Sequence, residues 1–410
     1  MSSALPPSDS KAVEVRHLLI GRGLRAFADG FVAVLLPAYL IALGFGQFDV
    51  GVISTATLAG SAAATLALGA IGHRWAPRRL LLGAALLMAA TGLGFVGFTS
   101  FWPLLVVAFV GTLNPSSGDV SVFLPLEHAR LANAADAANG EQRTVLFARY
   151  SLTGALCAAV GALAAALPAW LTFQTSLSHL GALRVMFGLY ALIGVLVWCL
   201  YRTLPAANEH VATPPAPLLA SRPIVVKLAA LFSVDSFAGG LVVNSLLSLW
   251  LFERFGFSVA QAGVFFFWTG LLAAGSQLAA PWVARKVGLL NTMVFTHIPA
   301  NLCLIAAALV GDVHVALGLL FVRSALSQMD VPTRSAFVMG VVTPPERAAA
   351  ASFTAVPRSL ASAASPTLAG ALMAAGLISA PLVACGVLKI AYDLTLWYSF
   401  RRLPQRPDPG

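Results

Sequence analysis

The sequence predicts an all-α integral membrane protein, with about twelve transmembrane helices in two six-helix bundles related by a pseudo-two-fold axis. Three observations point there. Of 410 residues, 59% are hydrophobic and only 10% charged, more apolar surface than a soluble chain of this length can hide. Apolar runs of about 18 residues or more recur from near residue 18 to near residue 400. The two halves of the chain also carry matching loop sequences, the mark of a duplicated bundle.

Taken in order, residues 1–17 form a polar N-terminal tail, unlike a cleavable signal peptide, so the first span is expected to stay as an anchor. Spans are expected near 18–43, 48–72, 79–98, 101–126, 143–168 and 181–202, the first bundle (18–202). The Pro- and Ala-rich segment 203–222, "TLPAANEHVATPPAPLLASR", reads as a linker. Spans near 223–251, 259–282, 288–309, 314–338, 348–374 and 378–400 make the second bundle (223–400), followed by a tail, 401–410. Residues 127–143, "EHARLANAADAANGEQR", read as a polar loop. With the N-terminus inside, the inner segments collect most of the Lys and Arg, while the outer ones hold only Arg184 and Arg254. Both termini are therefore expected in the cytoplasm, and the chain in the cytoplasmic (inner) membrane as a multi-pass protein. The net charge of +9 is spread between spans rather than clustered on a soluble domain, which argues against a nucleic-acid partner.

The internal repeat is specific. "LGFGQFDVGVIST" at 43–55 and "RFGFSVAQAGVFFF" at 254–267 share an aromatic–Gly turn and then a Gly–Val step at the start of the next helix. "GAIGHRWAPRRLLLG" at 69–83 and "LAAPWVARKVGLLNTM" at 278–293 both place basic residues in a short loop after the second helix of their half. The first of these loops resembles the loop 2–3 signature of the major facilitator superfamily, roughly G-x-x-x-D-R-x-G-R-R. Gly69, Arg74, Arg78 and Arg79 match, while His73 stands where that family usually has Asp, and Ala76 where it has Gly. The resemblance extends over nearly the whole chain. It implies a secondary active transporter that works by alternating access, with a solute site near the midplane between the halves and helices 1, 4, 7 and 10 lining it. It also implies that Gly69, His73, Arg74, Arg78 and Arg79 form a conformational latch. The alternative is that the arginines only set the topology.

The chain departs from family patterns at several places. The fifth span, "GALCAAVGALAAALPAW", lacks the Gly-Pro step of many drug/proton antiporters. Asn114 takes the place of the family's fourth-helix Arg, whereas Arg323 occupies the comparable place in the tenth. The sugar-porter signature after the sixth span is missing, which slightly favours efflux over uptake.

Charges inside the spans carry the functional reading. If the first helix starts near residue 18, Asp29 lies about 16 Å in, close to the midplane of a hydrocarbon core about 30 Å thick. Arg25 is one turn away on the same face. A charge facing lipid there costs about 2.5–3.5 kcal/mol on insertion scales, so such residues are expected to face protein or a water-filled cavity. The same argument marks Asp119, Arg149, Asp235, Arg323, Asp330, Arg334 and Arg358 as candidates for the substrate and ion pathway, with Arg25, Asp29 and Asn114. Lys389 and Asp393, spaced i, i+4 on the twelfth span, read as a self-neutralising structural pair. Six cations then face five carboxylates. Two readings stay open: salt bridges that hold helices together, or carboxylates, Asp29 first and Asp235 second, that couple proton flow to transport. The mid-depth arginines fit an anionic group on the solute. In "SQMDVPTRSAF", Pro332 either breaks the tenth helix at the site or merely kinks it.

Other functions find little support. Cys157, Cys199, Cys303 and Cys385 lie singly in apolar runs, and the seven histidines are scattered, so neither a metal centre nor an enzyme active set is visible. No cofactor is expected beyond a proton gradient. A small-molecule solute and the bilayer are the expected partners, and the chain is expected to be monomeric. The competing readings are a non-transporting receptor or scaffold, or a membrane enzyme, on a transporter-like fold.

Overall fold

In lipid a backbone must satisfy its own hydrogen bonds, and these Ala-, Leu- and Val-rich runs do so as helices. The structure, a computed structural model, describes residues 7–71, 74–116, 121–135, 140–205, 218–343 and 346–402. Their elements are, in order, α1 (Pro7–Ala42), α2 (Gln47–Ile71), α3 (Pro77–Gly97), α4 (Phe101–Val110), α5 (Phe123–Ala135) and α6 (Gly140–Leu163). A 3-10 turn (Ala164–Ala166), α7 (Leu167–Gln174) and α8 (His179–Tyr201) follow. Beyond residue 217 come α9 (Arg222–Gly240), α10 (Asn244–Phe255), α11 (Val259–Val287), α12 (Leu289–Leu309), α13 (Val313–Ser327), α14 (Asp330–Val341), α15 (Arg347–Ala374) and α16 (Ala380–Phe400).

Nine helical stretches among the described residues are long and apolar enough to cross a membrane. Three expected spans fall outside that set, for identifiable reasons. The fourth is not one helix over 101–126. Gly111, Pro115 and Ser116 interrupt it after α4, and helix is present again from Phe123. As a consequence, much of the expected 127–143 loop is the second half of α5. The tenth span is divided at Gln328–Met329, so it is broken rather than only kinked. Pro332 sits in the first turn of α14, where its missing N–H leaves no helical bond unmade. The eleventh, α15, is 28 residues long but carries Arg347, Arg358 and many small or hydroxyl residues. The seventh span is also interrupted, between Gly240 and Asn244. The N-terminal tail is helical from Pro7 onward.

By packing, the chain forms two compact units. One comprises Met1–Phe45, Gly60–Val211 and Ser258–Phe267, the other Gly46–Ala59, Ala212–Phe257 and Trp268–Gly410. In the first, α1 packs on α6 and α8, and α3 on α8. In the second, α15 packs on α9, and α12 on α16 and α13. The sequence repeat has a structural meaning in both. Gly44 and Gly256, the turn glycines, end α1 and α10 with φ of +92° and +65°, values that disfavour any side chain. At Gly44 the N–H of Phe45 bonds the Leu40 carbonyl and that of Gly44 the Ile41 carbonyl, a Schellman ending. The Gly–Val glycines are crossing points. A Cβ on Gly51 would meet the Pro366 carbonyl oxygen at 2.6 Å, and one on Gly263 would meet the Ala162 carbonyl oxygen at 2.4 Å. Both helices can therefore approach a neighbour's backbone only because these residues are glycine.

Candidate functional site

In the first unit the polar centre is Glu127, a residue that sequence reasoning placed in a loop. It lies on α5 and is fully buried. Its carboxylate accepts bonds from Arg25 on α1, Tyr150 on α6 and Tyr201 on α8, so one acceptor gathers donors from three helices. The Arg25 guanidinium lies 4.0 Å from the centre of the Phe123 ring, and that of Arg22 lies 5.2 Å from the centre of Tyr150. Asp29 is buried one turn further along α1, within the fields of Arg25 and Arg22. The interrupted segment of the fourth span is tied to α8 by Thr112 and Tyr190, whose hydroxyls are 3.2 Å apart. Asn114 is buried there, and its carbonyl oxygen accepts bonds from the Ser116 N–H (3.1 Å) and hydroxyl (2.7 Å). That arrangement stabilises a turn, which accounts for the break. Asp119 lies outside the described residues. Arg149 is exposed on α6 and joins no cluster among the described residues.

The second unit is richer in ions. Asp235 on α9, 4% exposed, accepts from Lys389 Nζ on α16 at 2.6 Å and pairs with Arg334 Nη2 on α14 at 3.1 Å. Arg334 also pairs with Asp330, one turn back on α14. Lys389 therefore does not neutralise Asp393 as the i, i+4 spacing suggests. Asp393 pairs with His297 on α12 instead, Nδ1 to carboxylate 3.0 Å. Asp235 on α9 and His297 on α12 stand within bonding distance of these side chains, and each ion takes the partner that packing brings to it. Arg358 on α15 is half-buried, and its Nε donates to Ser236 Oγ at 3.2 Å. Arg334 and Arg358 share the Phe232 ring, at 5.4 and 5.8 Å from its centre. Arg323, half-buried on α13, joins none of these bonds, and its buried Nε has no partner among the described residues.

The loop residues split. Arg78 donates to the Arg202 carbonyl at the C-terminal end of α8, a favourable place for a cation. Arg74 and Arg79 are exposed, Gly69 has open space where a Cβ would go, and His73 lies outside the described residues. The second unit has a reversed counterpart that sequence reasoning missed. Glu346, just before α15, accepts the N–H groups of Leu219 (3.0 Å), Ala220 (2.9 Å) and Ser221 (2.8 Å) at the start of α9. Bonding to Ser221 and to those amides holds its carboxyl down at about 2. Arg130 on α5 is buried and bonds Glu14 (2.6 Å) and the Pro205 carbonyl (2.9 Å). Among the described residues no group of His, Cys, Asp and Glu is placed to hold a metal ion.

The chain is 24% identical to an uncharacterized membrane protein of Saccharomyces cerevisiae, over 91% of each chain. It superposes on a bacterial homologue of the human lysosomal transporter Spinster, in an inward-facing and occupied conformation, with a TM-score of 0.74. That match has 15% identity and covers 99% of this chain and 100% of the other. The nucleoside transporter NupG gives a TM-score of 0.72 at 14% identity, covering 95% and 99%. The human organic anion transporter MFSD10 gives 0.64 at 18%, covering 96% and 100%. At these identities the likeness shows the fold alone. The family profile of the Major Facilitator Superfamily matches residues 18–329, most of the chain. The chain thus belongs to the Major Facilitator Superfamily, and it is a membrane transporter rather than an enzyme.

Proposed function

We propose that the protein is a proton-coupled secondary active transporter of a small solute, working by alternating access. The observation that carries this reading is a pair of buried carboxylates at membrane depth, Asp29 beside Arg25 and Arg22 on α1 and Asp235 between Lys389 and Arg334 in the second half of α9. Asp235 is about 20 Å from the start of that helix, so the cluster lies deep in the span. A carboxylate there either accepts a proton or holds its cations at full strength. Protonation loosens both ion pairs and changes the relative stability of two conformations, which is what coupling requires. Asp29, buried beside Arg25 and Arg22, offers the same chemistry in the first unit.

Efflux is the favoured direction, supported only by the missing sugar-porter signature. The distribution of Lys and Arg supports cytoplasmic termini in the inner membrane. A monomer suffices, because each unit builds its own charged cluster. In the latch, Arg78 fastens the first turn of α3 to the end of α8 in this conformation, while the exposed Arg74 and Arg79 can bind acceptors in another.

The test is solute flux in proteoliposomes with and without an imposed pH gradient. The parent should respond to the gradient. Asp29→Asn and Asp235→Asn should carry solute without responding to it, or carry none. Should both variants keep the parent's dependence on the gradient, proton coupling through these carboxylates is wrong.

A further inference from the structure

We propose that Arg358, with Ser236 beside it, is the anchor for a carboxylate or phosphate group on the transported solute. The inference rests on the solute-carrier reading above and names its substrate class.

Arg358 lies eleven residues into α15, about 16 Å from its start, so its guanidinium sits near the middle of the span. It is half-buried rather than enclosed. A guanidinium facing lipid at that depth is strongly disfavoured, so its open side faces water inside the protein. Only Nε has an acceptor, Ser236 Oγ; the other N–H donors meet none among the described residues. The neighbouring carboxylates are already committed. Asp235 is shared by Lys389 and Arg334, and Asp330 is bonded to Arg334. Asp393, the other carboxylate of this unit at membrane depth, is taken by His297. Four cations, Arg323, Arg334, Arg358 and Lys389, thus stand against three carboxylates, Asp235, Asp330 and Asp393, and among the described residues of this unit no further carboxylate pairs with the excess positive charge.

Geometry then favours a planar anion. Packing near the Phe232 ring and the bond to Ser236 orient the guanidinium, leaving its two Nη groups as a fork. Having accepted from Nε, the Ser236 hydroxyl still has its own proton to donate to the same ligand. Two N–H donors and one O–H donor match a carboxylate or a phosphate monoester.

The experiment measures thermal unfolding of the purified full-length protein in zwitterionic detergent at constant ionic strength. The probes are benzoate, glutarate, inorganic phosphate and glycerol 3-phosphate, each against a neutral counterpart, benzamide or glycerol. At least one anion should raise the unfolding temperature in a concentration-dependent way, and its neutral counterpart should not. Arg358→Gln should weaken that apparent affinity by about tenfold or more, and Arg358→Lys, which keeps charge but loses the fork, by less. The proposal is overturned if no anion stabilises the parent, or if the stabilisation is undiminished in Arg358→Gln. Should that variant not fold, undiminished stabilisation of folded Arg358→Lys overturns it equally. Nanodiscs with and without phosphatidylglycerol separate a lipid source: a shift from that lipid alone, with none from the soluble probes, also overturns it. No pH gradient enters this assay. Its failure therefore leaves proton coupling standing, and loss of coupling leaves anion binding standing.

Discussion

The carboxylate at the heart of the first unit and those in the second are held by different chemistry. Glu127 meets one cation and two neutral phenols, is fully buried, and ties together the four helices α1, α5, α6 and α8. Asp235 meets two cations, one of them shared with Asp330, and a half-buried Arg358 stands close by with donors to spare. A fully enclosed cluster resists change, because every substitution strands a buried partner. A charge-rich cluster with open donors can exchange protons or ligands at smaller cost. The contrast favours a mainly structural role for the Glu127 cluster and a working one for the Asp235 cluster.

Several substitutions would break or sharpen that contrast. The largest effect is expected for Glu127→Ala, which leaves Arg25 buried without its carboxylate and should destabilise the protein by about 3–5 kcal/mol. Thermal unfolding in detergent reads it, and a near-neutral result would remove the structural assignment. Asp235→Asn should cost less, about 1.5–3 kcal/mol, since Arg334 keeps Asp330. Adding Lys389→Met should recover part of that loss, because the stranded ammonium is then removed too. A double variant no better than the single one would mean that Lys389 draws its stability from elsewhere.

A smaller effect is expected at Glu346. Its carboxyl is held at about 2, below its ordinary value of 4.5, so it stabilises the fold at pH above the ordinary value. That contribution is lost as the pH falls from there toward about 2. The unfolding temperature of the parent should therefore fall over that window by an increment that Glu346→Gln lacks, and parallel curves would contradict the assignment. Smallest of all is Gly69→Ala. Nothing lies within 4 Å of the added methyl, so stability should change by no more than about 0.5 kcal/mol. Transport lost at unchanged stability would show that Gly69 is needed in a different conformation, as a latch requires.

Much of this architecture is legible in the chain. Apolar runs mark the spans, and the turn glycines Gly44 and Gly256 sit where the repeat puts them. Reading Asp29, Asp235 and Arg358 as intramembrane charges needs only helix rise and bilayer thickness. Glu127 was harder to see. The polar residues that follow it make the whole stretch look like a loop, although the apolar "FLPL" before it belongs to the same helix. Glu346 was hidden because its partners are backbone amides 125 to 127 residues away, and backbone leaves no mark in the sequence.

By itself the sequence determined the helical class, the approximate spans, the repeat and the number of charges committed to the membrane. These depend on local composition and on lipid, a uniform solvent that every segment meets in the same way. Only the tertiary structure decided which charges meet: Lys389 with Asp235 rather than Asp393, Asp393 with His297, and Arg25 with Glu127. Spacing along a helix gives the face on which a side chain lies. What stands opposite that face comes from a distant part of the chain, and a buried ion takes whichever partner is nearest in space.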